Sequence, residues 1–245
     1  MKQGIYKITE NISIAKATWR MRLSGDTSAH LRPGQFVNIA LAGRFLRRPI
    51  SVSSYDAEGL NIVYKIVGEG TADLAGMKPE EELDLLSGLG NGFDYSVATD
   101  RPLLVGGGVG VAPLYGLAMT IKRENPKAQI KVILGFNSAD EVFFEEEFKA
   151  LGAEVLVSTL DGSAGSKAFA SDLMKGLDYG YIYACGPMPM LRAVNAAANS
   201  GGQFSLEERM GCGFGACMGC SCETLLGNKK ICTDGPVFAM EEIIW

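Results

Sequence analysis

The chain has 245 residues, of which 47% are apolar and 21% are charged, a balance that is typical of a globular protein and excludes a disordered or fibrous chain. Its net charge is −5 and it has no long run of lysine and arginine, so we expect no nucleic-acid partner. The one histidine, His30, excludes a site that needs two or three imidazoles, and we expect it to be a surface or structural residue.

The sequence predicts a cytoplasmic protein with no membrane segment. Its first residues, MKQGIYKITE, lack the apolar stretch of a signal peptide. Residues 102–121 carry no charge and are long enough to cross a bilayer. However, four glycines between positions 106 and 110, followed by Pro113, favour a strand, a glycine loop and the start of a helix.

Residues 1–98 are predicted to form an antiparallel β-barrel. Short runs rich in valine, isoleucine and aromatic residues are separated by Gly, Asp, Asn and Ser, which is the pattern of strands joined by turns. The predicted strands cover residues 4–14, 18–23, 35–41, 49–53, 60–67 and 82–86, with a short helix at 71–76. Regular spacing of this kind is typical of a closed barrel.

Residues 99–205 are predicted to form an α/β domain with a parallel sheet, because apolar strands alternate with segments of helical length. The predicted strands cover residues 102–105, 129–136, 154–159 and 179–184, and the predicted helices cover 111–124, 144–151, 166–174 and 188–199. The glycine loop lies between the first strand and the first helix. Glycine permits close backbone approach and a helix N-terminus attracts phosphate, so the loop indicates a nucleotide site.

Two further segments bear on the nucleotide. None of the residues 137–141 is basic, whereas a 2′-phosphate requires Arg or Lys, so NAD is preferred over NADP. The alternative role of Asp140 and Glu141 is a solvated helix cap. Cys185 ends what we expect to be the last parallel strand, where side chains face the ligand crevice. It is predicted to lie beside the nicotinamide, and the alternative is a buried core cysteine.

Residues 206–245 are predicted to form a small iron–sulfur lobe. Cys212, Cys217 and Cys220 follow a C-x4-C-x2-C pattern and Cys232 comes after eleven further residues, the spacing of a plant-type [2Fe–2S] cluster. The glycines of this segment let backbone amides turn toward sulfur. The alternatives are structural zinc and disulfides. Cys222 is interpreted as a spare, buried thiol.

Three motifs together resemble those of the ferredoxin–NADP reductase superfamily. R-P-I-S at 48–51 is similar to its flavin motif Arg-x-Tyr/x-Ser, G-G-V-G-V-A-P at 107–113 to its nucleotide loop, and C-G-P at 185–187 to its C-G-P motif. The order R-M-G-C-G-F-G-A-C-M-G-C in the final 40 residues narrows the resemblance to the electron-transfer subunits of two-component, NAD-dependent (class 1B) dihydroorotate dehydrogenases. The resemblance covers essentially the whole chain.

The resemblance implies three sets of binding residues and no certain catalytic one. FAD would contact Arg48, Pro49, Ile50, Ser51, Lys65, Ile66, Val67, Gly70 and Thr71. NAD would contact Gly107, Gly108, Gly110, Cys185, Gly186 and Pro187. The cluster would be held by Cys212, Cys217, Cys220 and Cys232. Arg48 by itself could equally be a surface arginine.

The resemblance also implies a partner, an FMN-containing dihydroorotate dehydrogenase catalytic subunit, in a heterotetramer with two copies of each chain. Electrons would pass from that subunit through the cluster and FAD to NAD⁺ in pyrimidine biosynthesis. The apolar residues that would form the interface, or alternatively the core of the lobe, are Met210, Phe214, Met218, Phe238 and Trp245. The alternatives are a flavin/iron–sulfur reductase subunit of another complex, of the ferredoxin:NADP oxidoreductase or sulfhydrogenase type, a stand-alone NADH reductase, and a redox sensor or zinc module.

Overall fold

Six antiparallel strands close into a barrel in the first part of the computed structural model, which describes residues 1–245. The strands are β1 (Lys2–Ala15), β2 (Thr18–Ser24), β3 (Phe36–Ile39), β4 (Arg48–Tyr55), β5 (Gly59–Lys65) and β6 (Glu82–Leu89). Their order around the barrel is β1-β2-β5-β4-β3-β6. Alternate residues point inward, and Met21, Leu23, Leu60 and Ile62 are fully buried there. Helix α1 (Glu69–Gly76) follows β5.

A seven-stranded sheet forms the second part of the chain. Its strands are β7 (Pro102–Gly107), β8 (Lys131–Phe136), β9 (Glu154–Thr159), β10 (Ser166–Lys167), β11 (Tyr181–Cys185), β12 (Gly202–Ser205) and β15 (Val237–Ala239), and the helices are α2 (Val111–Glu124), α3 (Glu145–Ala150) and α4 (Met188–Ala197). The order is β10-β9-β8-β7-β11-β12-β15, and every pair except β12–β15 is parallel. A hairpin of β13 (Ser221–Thr224) and β14 (Gly227–Lys230) precedes β15.

Helix α2 joins the barrel to the sheet. It begins directly after the glycine loop and packs on β4, where a Cβ added to Gly116 would lie 2.4 Å from the carbonyl oxygen of Ser53. The uncharged segment 102–121 is therefore strand β7, a loop and most of α2. No helix of the chain combines the length and apolar character that crossing a membrane requires.

The structure confirms the predicted fold class and corrects two details. The helix predicted at 166–174 is wrong: Ser166–Lys167 is a strand, and only Ala170–Met174 forms a 3-10 turn. Gly165, at φ +60°, turns the chain so that Ser166–Lys167 adds to the edge of the sheet in parallel with β9, and this pairing overrides the local preference. Strand β11 is also not the last parallel strand, because β12 pairs with it in parallel.

The C-terminal residues are attached to the sheet through β15, which pairs with β12. Among the apolar residues proposed for an interface, Phe238 is buried, while Met210 and Trp245 pack against the core. Phe214 and Met218 are exposed, by 44% and 65%. Of the five side chains, Phe238 therefore belongs to the core, Met210 and Trp245 are partly buried against it, and Phe214 and Met218 are the exposed ones.

Candidate cofactor cleft and iron–sulfur centre

A cavity of about 1000 Å³ lies between the barrel and the carboxyl ends of the parallel strands. Most of the predicted FAD and NAD residues line it: Pro49, Ile50, Ser51, Lys65, Val67, Thr71, Gly107, Gly108, Gly110, Cys185, Gly186 and Pro187. Arg48, Ile66 and Gly70 are outside this lining. The cleft is therefore shared by segments that the sequence places more than a hundred residues apart.

On the barrel side, Arg48 is directed at the start of helix α1. A Cβ added to Gly70 would lie 2.2 Å from Nε of Arg48, so only glycine admits the guanidinium there. Thr71 Oγ1 accepts hydrogen bonds from the backbone N–H groups of Val67 (2.9 Å) and Gly68 (3.3 Å), which fixes the first turn. A guanidinium next to a helix N-terminus suits a pyrophosphate, because both favour negative charge.

Three arginines lie close together here, and only Arg48 lacks a carboxylate partner. Arg44 pairs with Glu69 and Asp73, and Arg47 pairs with Asp84 at 2.9 Å. Hydrogen bonding to Arg47 holds the pKa of Asp84 below its usual range. Arg48 donates only to the carbonyl oxygens of residues 46 and 47. Its charge is therefore available for a phosphate group.

On the sheet side, glycines permit a close contact between two strand ends. A Cβ on Gly110 would lie 2.3 Å from the carbonyl oxygen of Cys185, and one on Gly107 would lie 2.5 Å from the sulfur of Met190. Burial raises the pKa of Cys185 to about 12, although a hydrogen bond with Ser205 acts in the opposite direction. The thiol is therefore neutral at physiological pH and presents a small, polarizable surface to the cavity.

The two acidic residues after β8 have different surroundings. Asp140 lies on the surface and pairs with Lys16 at 2.9 Å. Glu141 lines the cavity, pairs with Lys65 at 2.7 Å and accepts the side-chain amide of Asn137 at 2.8 Å. Burial opposes ionisation of Glu141, but the bonds from Lys65 and Asn137 outweigh it and hold its pKa below the usual range. The sequence did not reveal the ion pair of Glu141 with Lys65.

The four cysteines proposed as cluster ligands are arranged as two pairs. The N–H of Cys217 lies 3.4 Å from Sγ of Cys212. Burial, together with the neighbouring thiol of Cys220, raises the pKa of Cys232 to about 12. All six cysteines of the chain are free thiols. No three His, Cys, Asp or Glu side chains converge where a single ion would bind. A [2Fe–2S] cluster takes two thiolates on each iron, so two neighbouring pairs fit it.

Backbone amides of the loop point at one of these sulfurs. Burial would raise the pKa of Cys212, but the N–H of Cys217 donates to its sulfur and, together with the nearby backbone N–H groups of Phe214 and Ala216, lowers the pKa to about 6. Gly213 and Gly215 have φ values of +78° and +92°, which L side chains rarely adopt, and these turns orient the amides. The same donors would stabilise a thiolate bound to iron.

This combination of barrel, cleft and parallel sheet with a glycine loop defines a flavin- and NAD-linked oxidoreductase of the ferredoxin–NADP reductase fold class. A solved structure of an NADH-dependent reduced ferredoxin-NADP oxidoreductase superimposes with a TM-score of 0.88 and 30% identity, covering 99% of this chain and 90% of that one. Residues 104–196 match the family "Oxidoreductase NAD-binding domain" and residues 207–244 match "Iron-sulfur cluster binding domain of dihydroorotate dehydrogenase B".

Curated relatives then identify the family. The electron transfer subunit of dihydroorotate dehydrogenase B (NAD(+)) from Fusobacterium nucleatum subsp. nucleatum is 46% identical over 252 residues, with 96% of each chain covered. The subunit of the same name from Shouchella clausii is 40% identical, with 99% of this chain and 98% of that one covered. The chain belongs to the family of electron transfer subunits of dihydroorotate dehydrogenase B.

Proposed function

We propose that this chain transfers electrons from a separate FMN-containing dihydroorotate dehydrogenase catalytic subunit to NAD⁺, as a step in pyrimidine biosynthesis. One observation carries the proposal. The chain combines a cleft, lined by the flavin and nucleotide motifs, with a four-cysteine segment that matches the iron–sulfur family. When bound, the cluster would supply single-electron transfer, and FAD would combine two such electrons with a proton into the hydride that NAD⁺ accepts.

The chain's own residues would bind and orient these groups. Arg48 and the start of helix α1 would hold the FAD pyrophosphate, and Ser51 and Ile50 would meet the isoalloxazine ring. The glycine loop 107–110 would receive the NAD pyrophosphate at the start of α2. Cys185, a neutral thiol in the cleft, would let the nicotinamide approach closely. None of these side chains needs to act as an acid or base, because the carbon–hydrogen bond of dihydroorotate breaks on the partner.

We propose that the partner binds the outer face of the cysteine loop, residues 212–220, which contains the first three cluster cysteines. Phe214 and Met218, which lie between the first and third cluster cysteines, are the exposed apolar residues of this loop. Exposed apolar side chains next to a redox centre suit a protein interface, which would bring the cluster near the partner's FMN. The proposed assembly is a heterotetramer with two copies of each chain, working in the cytoplasm, where free thiols persist.

Cys217→Ser tests whether electrons pass through the cluster. We expect the variant to keep its FAD, to lose the iron and the cluster spectrum, and to abolish dihydroorotate-dependent reduction of NAD⁺ in the reconstituted complex. NADH oxidation by ferricyanide, which needs only the cleft, should persist. Cys222→Ser is the matched control, because this cysteine lies in the same segment outside the two pairs. Dihydroorotate-to-NAD⁺ flux in an iron-free complex would show that the relay is wrong.

A further inference from the structure

At its first cysteine, the cysteine loop is attached to the flavin barrel by a buried side chain. Asn38 of β3 donates its Nδ2–H to the carbonyl oxygen of Cys212 at 3.0 Å, although the two residues are 174 positions apart. Asn38 is only 1% exposed, and its Oδ1 has no hydrogen-bond partner. A buried, unpaired oxygen costs roughly 1–3 kcal/mol, so the burial of this oxygen does not stabilise the barrel.

The loop is shaped to receive this amide. Gly213, which follows Cys212, has φ +78°, and a Cβ at that position would lie 2.4 Å from Nδ2 of Asn38. Any other residue would be strained by the backbone angle and would also push the loop away from the barrel. The contact between Asn38 and the loop is therefore closely packed from both sides.

A second asparagine holds the other end of the cysteine-rich segment, which runs from Cys212 to Cys232. Asn91, in the loop after β6, donates through Nδ2 to the carbonyl oxygens of Asp234 (2.9 Å) and Val237 (2.7 Å). Its Oδ1 accepts the N–H of Val237 at 3.1 Å, and its own N–H donates to the carbonyl oxygen of Gly235 at 2.7 Å. All of these acceptors and donors lie just beyond Cys232, the fourth proposed ligand.

Asn38 also connects directly to the cleft. In the barrel it pairs with Pro49 of β4, which lines the cavity beside Ile50 and Ser51. Its carbonyl oxygen accepts a hydrogen bond from Arg47, which Asp84 holds in place. A short path through two paired strands and one side-chain hydrogen bond thus leads from the proposed flavin site to the backbone of a cluster ligand.

We propose that Asn38 and Asn91 are positioning residues that fix the iron–sulfur centre at a set distance and orientation from the flavin. This inference rests on the proposed function in one respect, because it requires that the iron–sulfur centre and the flavin exchange electrons. Electron exchange weakens steeply as the gap widens, so a terminal segment that carries one redox group must be held on both sides. Asn38 holds the side that begins with Cys212, and Asn91 holds the side that follows Cys232.

Asn38→Asp tests the proposal with a side chain of the same shape that, once ionised, cannot donate to the carbonyl of Cys212. We expect the full chain, purified with FAD and cluster, to retain both groups, to show a shifted EPR spectrum of the reduced cluster, and to transfer electrons from NADH-reduced flavin to the cluster about tenfold more slowly in stopped-flow measurements. Asn61→Asp is the control, since Asn61 donates to Ser54 within the same barrel at 3.0 Å and does not contact the loop. A spectrum and rate equal to those of Asn61→Asp would overturn the proposal.

A second pair of variants approaches the same contact from the loop. Gly213→Ala should shift the EPR spectrum and slow the transfer, whereas Gly227→Ala should not, although Gly227 has a similar φ of +99° and nothing within 4 Å of its Cβ position. Asn38→Ala makes room for the new methyl group at position 213. Gly213→Ala should therefore change the spectrum and the transfer rate less in the Asn38→Ala background than in the wild type. Additive effects, or equal effects of the two glycine variants, would refute the role of Asn38 even if Asn38→Asp does not fold.

These measurements use neither the partner nor dihydroorotate. If the proposed function were wrong, the wild-type chain would accept no electrons from the catalytic subunit, yet the two asparagines could still be shown to hold the cluster. If only the positioning role were wrong, Asn38→Asp would match Asn61→Asp in EPR spectrum and transfer rate, while the wild-type chain would still accept electrons from the catalytic subunit.

Discussion

Arg48 is the one guanidinium near helix α1 that no carboxylate neutralises, and its Nε lies against Gly70. Arg48→Ala is expected to weaken FAD retention about tenfold or more, because hydrogen bonds to charged groups contribute roughly 1.5–3 kcal/mol. Flavin absorbance after gel filtration measures this. Arg44→Ala is the matched control, since Arg44 pairs with Glu69 and Asp73 of the same helix. Unchanged flavin content in Arg48→Ala would remove Arg48 from the FAD site.

His30 gives the chain a predictable dependence on pH. It is buried beside Tyr55, with ring centroids 5.5 Å apart, and neither ring nitrogen has a hydrogen-bond partner. Burial, with a smaller effect of the N-terminal charge, lowers the pKa of His30 from 6.5 to about 4. The unfolded chain binds a proton near pH 6.5 and the folded chain does not, so the stabilisation is complete above pH 6.5 and is lost as the pH falls toward 4.

Between pH 7 and pH 5 this difference removes about 2 kcal/mol from the free energy of unfolding, or about 4–8 °C from the melting temperature. His30→Phe keeps the aromatic contact with Tyr55 and cannot titrate. We expect its melting temperature to fall less than that of the wild type over the same interval, as measured by differential scanning calorimetry. Parallel pH profiles for the two proteins would show that His30 does not stay neutral in the folded chain.

At the scale of elements, the loop after β8 is expected to set the preference for NAD over NADP. Its Glu141 neutralises Lys65 at the cavity wall, whereas Asp140 pairs with Lys16 on the surface. Glu141→Gln leaves Lys65 as an uncompensated cation, which attracts the 2′-phosphate of NADPH. The KM for NADPH in ferricyanide reduction should fall about fivefold, which corresponds to roughly 1 kcal/mol. Asp140→Asn, as the control, should change it little. No change in Glu141→Gln would place the selecting residue elsewhere.

The elements that the sequence predicts correctly are those with a strong local pattern. Helix α2 has a glycine loop before it and charged residues in its last turn, and its bounds of 111–124 agree with the structure. Strands β12 and β15 could not be predicted, because they have only four and three residues and are defined by pairing, β12 with β11 and β15, and β15 with β12. The helix predicted at 166–174 is wrong for the same reason, because the local sequence does not show that Ser166–Lys167 pairs with β9.

At the scale of the whole molecule, the spacing of the cysteines is enough to predict them as cluster ligands. It does not predict which residues hold their segment against the barrel. Ligand spacing is a local property, so the C-x4-C-x2-C pattern is visible without a structure. The contacts of Asn38 and Asn91 with the cysteine-rich segment span 174 and at least 143 positions, and an isolated asparagine carries no signal of such a contact. The same holds for Lys65 and Glu141, which only the closed cleft brings together.

The assembly of the two subunits can be tested at the exposed face of the cysteine loop. Met218 is 65% exposed and lies two residues before Cys220, so a partner seated over the cluster would bury it. Met218→Gln should weaken binding to the catalytic subunit about tenfold, or about 1.4 kcal/mol, in a titration followed by calorimetry. The cluster absorbance and EPR spectrum of the isolated chain should not change, because the side chain points to solvent.

The matched control is Met119→Gln, which makes the same exchange at a residue of helix α2 that is 40% exposed and lies away from the cysteine loop. It should bind the catalytic subunit as the wild type does. Equal affinities for wild type, Met218→Gln and Met119→Gln would move the interface off this face of the loop. The cluster would then have to reach the partner's FMN from another side, and the loop's exposed apolar residues would have no part in the complex.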